Sequence, residues 1–233
     1  MARYSAEHKE ATRRRIVETS GRRLKRDGID GSGIASLMAD AGLTNGAFYA
    51  HFASKDDLVA TVVHEELRHQ VATLDQLAPG IAGLEQLVRA YLSPGHRDHP
   101  DAGCPSAALL DEIGRSAEVT KAAYTAGAKT LVDDIAARLS PEDPESAHGR
   151  ALILFTMIVG TLQLSRAVND PLLSDEALAR GVEQALALLG DVDAAERRRD
   201  QPAGEPAPSN DPHRQTGRAG ERSTHHIHRG DPS

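Results

Sequence analysis

The chain has 233 residues, a single cysteine (Cys104) and a net charge of −7, from 27 Lys and Arg against 34 Asp and Glu. One cysteine excludes an intramolecular disulfide framework and agrees with a reducing compartment, so we expect a cytoplasmic protein. The sequence has no run of about 18 apolar residues, and its basic N-terminus lacks an apolar segment behind it, so neither a membrane span nor a secretory signal is predicted.

Helical periodicity extends through most of the chain without an alternating strand pattern, which predicts an all-α fold. The first helix is expected over residues 7–26. Ser32 is the expected N-cap of a short second helix, and Thr44 that of a third, which extends through His51. The turn Ala41-Gly42-Leu43 lies between them. Two short helices joined by a turn that contains Gly are the helix-turn-helix pattern.

A larger helical part is expected after this pattern. Ser54, followed by an acidic residue at 57, resembles a capping box and predicts the start of a long helix that reaches Leu74. Further helices are expected over residues 81–92, 106–114, 117–139, 146–168 and 174–189, with a loop that ends at Cys104-Pro105.

The C-terminal segment differs in composition from the rest of the chain. Residues 192–233 contain five Pro and no Leu, Phe, Met, Tyr or Trp. Such a segment cannot bury enough apolar surface to offset the entropy of ordering, so we expect it to be disordered. The predicted organisation is a helix-turn-helix domain over 1–53, a helical domain over 54–191 and a tail over 192–233.

Charge is distributed unevenly along these segments. Residues 1–26 contain nine Lys and Arg against three Glu, a net of +6, whereas residues 61–191 contain ten Lys and Arg against nineteen Asp and Glu, a net of −9. A basic N-terminal end on an acidic body is typical of a small DNA-reading domain attached to a regulatory domain.

The stretch GLTNGAFYAHF, residues 42–52, is unusual for a core helix. Its small and polar residues leave a flat face that can approach a surface closely, and Tyr49 and His51 supply hydrogen bonds beside that face. This composition favours a helix that lies against DNA.

The same stretch resembles the TetR family of bacterial one-component repressors. The resemblance is carried by SGIASLM (32–38), AGLTNGAFYAHF (41–52) and SKDDL (54–58), an arrangement far more specific than a generic helix-turn-helix. The segment GCPSAALLDE, which begins at Gly103, is also similar to a subgroup of the family. The all-helical remainder has the length expected of the family's C-terminal domain.

The resemblance implies a set of DNA-binding residues at the N-terminus. Tyr49 and His51 would hydrogen-bond phosphates, Gly46 would let the backbone approach the duplex, and Ala47 would offer a methyl group to a thymine. Lys55 would meet a phosphate at the N-terminus of the long helix. The complete set is Ser32, Thr44, Asn45, Gly46, Ala47, Tyr49, His51 and Lys55.

Ligand-binding residues are implied by the same resemblance, because the family's helical domain holds a small-molecule cavity. The implied residues are Tyr91, Cys104, Tyr124, Phe155, Thr156 and Gln163. For Cys104 two other interpretations stay open: a small apolar residue at a helix start, or a reactive thiol that senses electrophiles or oxidants. The loop with His96 and His99 lacks a clear four-ligand set, so no metal or cofactor is predicted.

The family implies a repressor that binds a near-palindromic double-stranded DNA operator as a homodimer. A small-molecule inducer of unknown identity would release it, and no membrane partner is expected. Dimerisation is expected through residues 146–168 and 174–189 of both chains. An enzyme is not predicted, because no second catalytic group or phosphate-binding glycine loop accompanies Cys104. The alternative function is a thiol-based electrophile or redox sensor on the same fold.

Overall fold

A computed structural model describes the backbone of residues 2–199 and the side chains of residues 7–190. Throughout the described chain every regular element is helical, which confirms the all-α prediction. The elements are α1 (Ala2–Asp27), α2 (Ile34–Asp40), a 3₁₀ helix (Asn45–Ala50), α3 (Lys55–Leu74), α4 (Gly80–Tyr91), α5 (Pro94–Asp98), a second 3₁₀ helix (Pro100–Ala102), α6 (Pro105–Arg115), α7 (Glu118–Leu139), α8 (Pro144–Ala167) and α9 (Pro171–Arg199).

The first three helices, which we call the head, pack around one apolar cluster. Its fully buried side chains include Ile16, Leu24, Leu37, Met38 and Phe48. α3 and α6 complete the cluster with Leu58, Val62, Val63, Leu67, Leu109 and Ile113. The head is therefore seated on α3 and α6 of the remaining part, which we call the body.

The start of α3 has the predicted cap. The Ser54 hydroxyl accepts a hydrogen bond from the backbone N–H of Asp57 at 3.1 Å. The Asp57 carboxylate in turn accepts from the backbone N–H of Ala53 at 3.0 Å. These two bonds satisfy amide groups that the first turn of a helix leaves without intrahelical partners. They fix the direction in which α3 leaves the head.

α8 is the central helix of the body and lies between α7 and α9. Among the described helices it alone is long and apolar enough to cross a membrane, by length and composition. Its Leu154, Ile158 and Leu162 are buried in the body cluster, so its place in the core explains part of its apolar composition. Its remaining face, with Ile153 and Leu164, is exposed.

Two parts of the chain differ from the sequence-based expectation. The predicted loop before Cys104 contains α5 and the second 3₁₀ helix, each with a proline in its first turn. α9 continues to Arg199, eight residues into the segment 192–233 for which disorder is predicted. Residues 200–233 lie outside the described residues, and the disorder prediction for them stays a prediction.

Candidate nucleic-acid interface and ligand groove

The turn between α2 and the first 3₁₀ helix is closed by backbone hydrogen bonds. Gly42 has a positive φ of 68°, its N–H donates to the carbonyl of Ala39, and the N–H of Leu43 donates to that of Met38. This is the Schellman arrangement, which favours glycine because other residues are strained at positive φ. The turn sets the angle at which the next helix leaves α2.

The first 3₁₀ helix turns one face inward and the other outward. Phe48 is fully buried, whereas Tyr49 is 70% exposed and packs its ring edge-on against Phe48 at 5.1 Å between centroids. Thr44, Asn45, Gly46 and Ala50 are also exposed, and Ala47 is half-buried. The structure therefore brings most of the predicted DNA-binding residues to one exposed segment.

Gly46 lies on this exposed face without an internal reason to be glycine. An added Cβ would meet no atom of the described chain within 4 Å, and its φ is not positive. The absence of a side chain instead leaves the backbone open to close approach from outside. Thr44 occupies the N-cap position, as predicted, but its hydroxyl makes no capping bond.

His51 closes the exposed segment and is half-buried. Within the described residues its Nδ1 atom is buried without a hydrogen-bond partner. Burial, and next the nearby charges of Lys9 and Arg13, lower the pKa of His51 below its usual value. The role of these two α1 residues beside the exposed segment was missed by the sequence analysis, because the contact spans some forty residues of chain.

Two predicted DNA-binding residues are used inside the fold. Ser32 is fully buried and its hydroxyl donates to the carbonyl of Gly28 at 2.7 Å. It does not cap α2, whose N-cap is Gly33, so that expectation was wrong; the predicted DNA contact of this buried hydroxyl stays a prediction. The ammonium of Lys55 donates to the carbonyl of Ile29 at 2.6 Å, so this side chain links α3 to the head.

A groove of about 460 Å³ lies in the body between α6, α7 and α8. Its lining includes four of the six residues for which ligand contact is predicted: Tyr124, Phe155, Thr156 and Gln163. The other lining residues are Leu110, Thr125, Ala128, Lys129, Val132, His148, Leu152, Val159 and Gly160. A mainly apolar concave site with a few polar groups is the usual form of a small-molecule site.

Tyr91 and Cys104 do not line this groove, contrary to prediction. They are 6% and 1% exposed and belong to the body cluster. Burial raises the pKa of Tyr91 well above its usual value, and its hydroxyl has no hydrogen-bond partner in the described chain. Cys104 is the N-cap residue of α6. Sequence position could not distinguish a core position from a lining position: Cys104 caps α6, which lines the groove, and Tyr91 lies on α4, which does not.

A buried ion pair joins the head to the segment before α6. Lys25 of α1 is almost fully buried, and its ammonium donates to a Glu66 carboxylate oxygen at 2.7 Å and to the Gly103 carbonyl at 3.0 Å. Glu66 belongs to α3. The head, α3 and the α5–α6 segment therefore share one polar contact, which the sequence did not indicate.

The exposed helix-turn-helix segment and the grooved helical body together place the chain among all-α proteins with a helix-turn-helix head. Residues 16–62 match the family model described as bacterial regulatory proteins, tetR family. The match covers the C-terminal part of α1, the rest of the head and the first part of α3. It confirms the resemblance that the sequence motifs indicate.

Solved structures agree over most of the chain. Reduced NemR from E. coli is 18% identical with a TM-score of 0.64, over 75% of this chain and 95% of that one. SCO4454, a TetR-family transcriptional regulator from Streptomyces coelicolor, is 25% identical with a TM-score of 0.54, over 76% and 94%. FadR from Bacillus subtilis in complex with stearoyl-CoA is 17% identical with a TM-score of 0.53, over 75% and 96%.

Curated protein sequences give no match to the chain. The chain nevertheless has the fold and the helix-turn-helix of a TetR-family transcriptional regulator.

Proposed function

We propose that the protein is a transcriptional repressor that binds a near-palindromic DNA operator as a homodimer and leaves it when a small molecule binds the body. The observation that carries this proposal is the exposed segment of the head. Tyr49 is 70% exposed, and Gly46 keeps the neighbouring backbone open. Protein–DNA complexes use such groups for phosphate contacts and close backbone approach.

Each exposed residue has a role in the proposed complex. Thr44 and Asn45 face the edge of the duplex at the start of the 3₁₀ helix, where hydroxyl and amide groups reach phosphates or bases. Ala47 and Ala50 offer methyl groups, which suit contact with a thymine methyl. Tyr49 and His51 donate hydrogen bonds to phosphates. Few of these groups read bases, so the proposed sequence preference is modest for each half-site.

Dimerisation is proposed through the outer faces of α8 and α9. Ile153 and Leu164 of α8 and Leu172 and Leu173 of α9 are exposed large apolar residues. Faces of this kind mark interaction sites in soluble proteins. Two copies related by a twofold axis would present two heads, so the operator would repeat its half-site in inverted orientation, about 34 Å apart or a multiple of it.

The proposed inducer binds in the groove between α6, α7 and α8. In the structure of FadR from B. subtilis the bound molecule is stearoyl-CoA, so this fold accommodates a ligand in at least one relative. An inducer releases DNA only if it binds the DNA-incompetent state more tightly. A coupling of about 1–3 kcal/mol would lower operator affinity by about 5- to 150-fold.

The test is selection of random duplex DNA by the purified protein. We expect a near-palindrome to be enriched, with an affinity that falls steeply as salt rises because neutralised phosphates release counterions. Tyr49→Phe, which removes only the hydroxyl, should weaken binding with an unchanged circular dichroism spectrum. Val119→Ala, at an exposed position of α7, is the control. Failure of the native protein to enrich any duplex at low salt would refute the proposal.

The alternative function, a thiol-based sensor that uses Cys104, has less support than the proposed repressor. A thiol sensor needs an accessible thiolate, whereas Cys104 is almost fully buried. We therefore propose a regulator whose inducer binds reversibly, and not an enzyme or a thiol sensor. Cys104→Ser separates these functions, because oxidants and electrophiles that released the native protein from DNA, but not the variant, would favour the sensor.

A further inference from the structure

The groove between α6, α7 and α8 is long and nearly free of charge. On α8 its lining extends from His148 to Gln163, which at 1.5 Å per residue is about 22 Å. Its central part is apolar, with Val132, Leu152 and Phe155. Among the residues that line it, Lys129 is the single Lys, Arg, Asp or Glu.

Lys129 lacks a counter-ion in the described part of the chain. No carboxylate lies within 4 Å of its ammonium, whereas Lys121, two turns earlier on α7, pairs with Glu118 at 2.9 Å. The nearest acidic residue along the helix, Asp133, lies instead 3.8 Å from Nε2 of His148. Lys129 is exposed, so a cation without a nearby carboxylate lies on the wall of a mainly apolar groove, in a body that is acidic overall.

Two other polar groups of the wall are satisfied within the chain. The Tyr124 hydroxyl donates to the Ser106 hydroxyl at 3.1 Å. The Thr156 hydroxyl donates to the carbonyl of Ile153 at 3.0 Å. A ligand therefore meets one unsatisfied charge, at Lys129, and mainly apolar surface beyond it.

We propose that the inducer is an elongated amphipathic carboxylic acid, whose carboxylate pairs with Lys129 while its apolar part lies against Leu152 and Phe155. This inference rests on the proposed function. The groove presents two features to a ligand, the Lys129 ammonium and a long apolar wall. A carboxylate supplies the missing charge and an apolar chain covers the wall, so one ligand satisfies both requirements.

The test compares three probes of equal chain length below their micellar concentrations: dodecanoate, dodecanol and dodecyltrimethylammonium. Isothermal titration calorimetry should show dodecanoate binding at least tenfold more tightly than the ammonium. Lys129→Met should weaken dodecanoate about five- to tenfold and leave dodecanol unchanged. Lys121→Met, on the same helix but outside the groove, should bind all three as the native protein does.

A second variant tests the location of the apolar part. Ala128 lines the groove, so Ala128→Phe should fill it and abolish binding of dodecanoate and dodecanol alike. Equal binding of the three probes, or dodecanoate binding that neither variant changes, would overturn the assignment. The absence of any dodecanoate binding would also overturn the assignment, and would instead favour a groove covered by a second copy of the chain.

Operator selection separates this inference from the proposed function. An enriched operator together with no Lys129-dependent carboxylate binding would leave the repressor and remove the ligand class. Carboxylate binding that depends on Lys129, without any enriched operator, would leave the site and remove the repressor. With both present, dodecanoate should release the operator from the native protein and much less from Lys129→Met.

Discussion

His51 links proton binding to DNA binding, if it contacts a phosphate as proposed. In the free protein, burial and the charges of Lys9 and Arg13 lower its pKa. A phosphate favours the imidazolium and raises that pKa in the complex, so DNA binding takes up a proton. Operator affinity should therefore rise as pH falls from 7.5 to 5.5, by up to about tenfold per unit of pKa increase.

Fluorescence anisotropy with the selected operator at constant ionic strength measures this dependence. His51→Gln keeps a hydrogen-bonding group but does not titrate, so the ratio of native to variant affinity isolates the His51 contribution. A ratio that stays constant from pH 7.5 to 5.5 would show that His51 does not meet a phosphate.

Individual residues show what sequence alone could predict. The exposure of Asn45, Gly46 and Tyr49 agrees with the flat, polar pattern of the stretch. Ser32 was wrongly predicted to cap α2, because a small hydroxyl occurs both at helix N-termini and buried against a carbonyl, here that of Gly28. Lys129 went unnoticed, because an unpaired charge is recognised only after the positions of all nearby acids are known.

The segment that joins α4 to α6 is held by one neutral histidine. His96 Nδ1 lies 2.8 Å from the carbonyl of Tyr91, and Nε2 lies 3.0 Å from the backbone N of Cys104, from which it accepts a hydrogen bond. Nδ1 therefore carries the proton and donates to Tyr91. Protonation of Nε2 would place two N–H groups against each other, so this arrangement requires the neutral ring.

Acid should consequently destabilise the protein through His96. Burial lowers the pKa of His96 despite the hydrogen bond to Tyr91, so the folded state binds fewer protons than the unfolded state. This contribution is fully present above about pH 6.5, the usual histidine value, and is lost as pH falls toward the lowered pKa of the folded state. Urea unfolding at pH 7, 6 and 5 measures the decline.

His96→Gln provides the comparison for this acid effect. The variant should be less stable at pH 7 but should lose less stability between pH 7 and 5 than the native protein. Parallel declines of the two proteins would assign the acid sensitivity to other groups.

Gly103 is constrained by the same histidine. An added Cβ would overlap the His96 ring, so Gly103→Ala forces the ring or the segment to move. We expect a loss of about 1–3 kcal/mol in the free energy of unfolding, typical of overpacking. Gly114→Ala in α6 is the matched control, because a Cβ there meets no described atom within 4 Å. Equal stability of the two variants would contradict the close packing of His96 on Gly103.

Helices were predicted well where one local rule determines where the helix begins. The cap of α3 follows from Ser54 and an acid three residues later, and the observed bonds agree. The six-residue helix Asn45–Ala50 is 3₁₀ and not α; so short an element gains little from propagation, and tertiary contacts decide its form. α5 was missed because five residues carry no measurable periodicity.

The whole molecule combines a head and a body whose apolar cores meet on α3 and α6. The uneven distribution of charge and the helical periodicity could predict both parts. They could not predict the Lys25–Glu66–Gly103 contact that joins them, because this contact depends on three segments distant in sequence. The groove has a similar origin, because residues of α6, α7 and α8 line it together and no single helix encodes that packing.

In the proposed function, the outer face of α8 is part of the dimer interface and so determines the oligomeric state. Ile153 on this face is 57% exposed, and Val119, near the start of α7, is 51% exposed. The two positions are matched in exposure and apolar character but lie on different helices, α7 and α8. Glutamate at Ile153 would bury an unpaired carboxylate in each half of the interface, at a cost of about 3–5 kcal/mol for a buried charge without a partner.

Ile153→Glu should therefore convert the dimer into a monomer in sedimentation velocity and lower operator affinity, because a monomer contacts one half-site only. Val119→Glu should leave both the sedimentation coefficient and the operator affinity unchanged. A chain that stays dimeric with Ile153→Glu would place the interface elsewhere, and the exposed apolar residues of α8 would then need another partner. A chain monomeric without any substitution would remove the twofold symmetry from which the inverted half-sites follow.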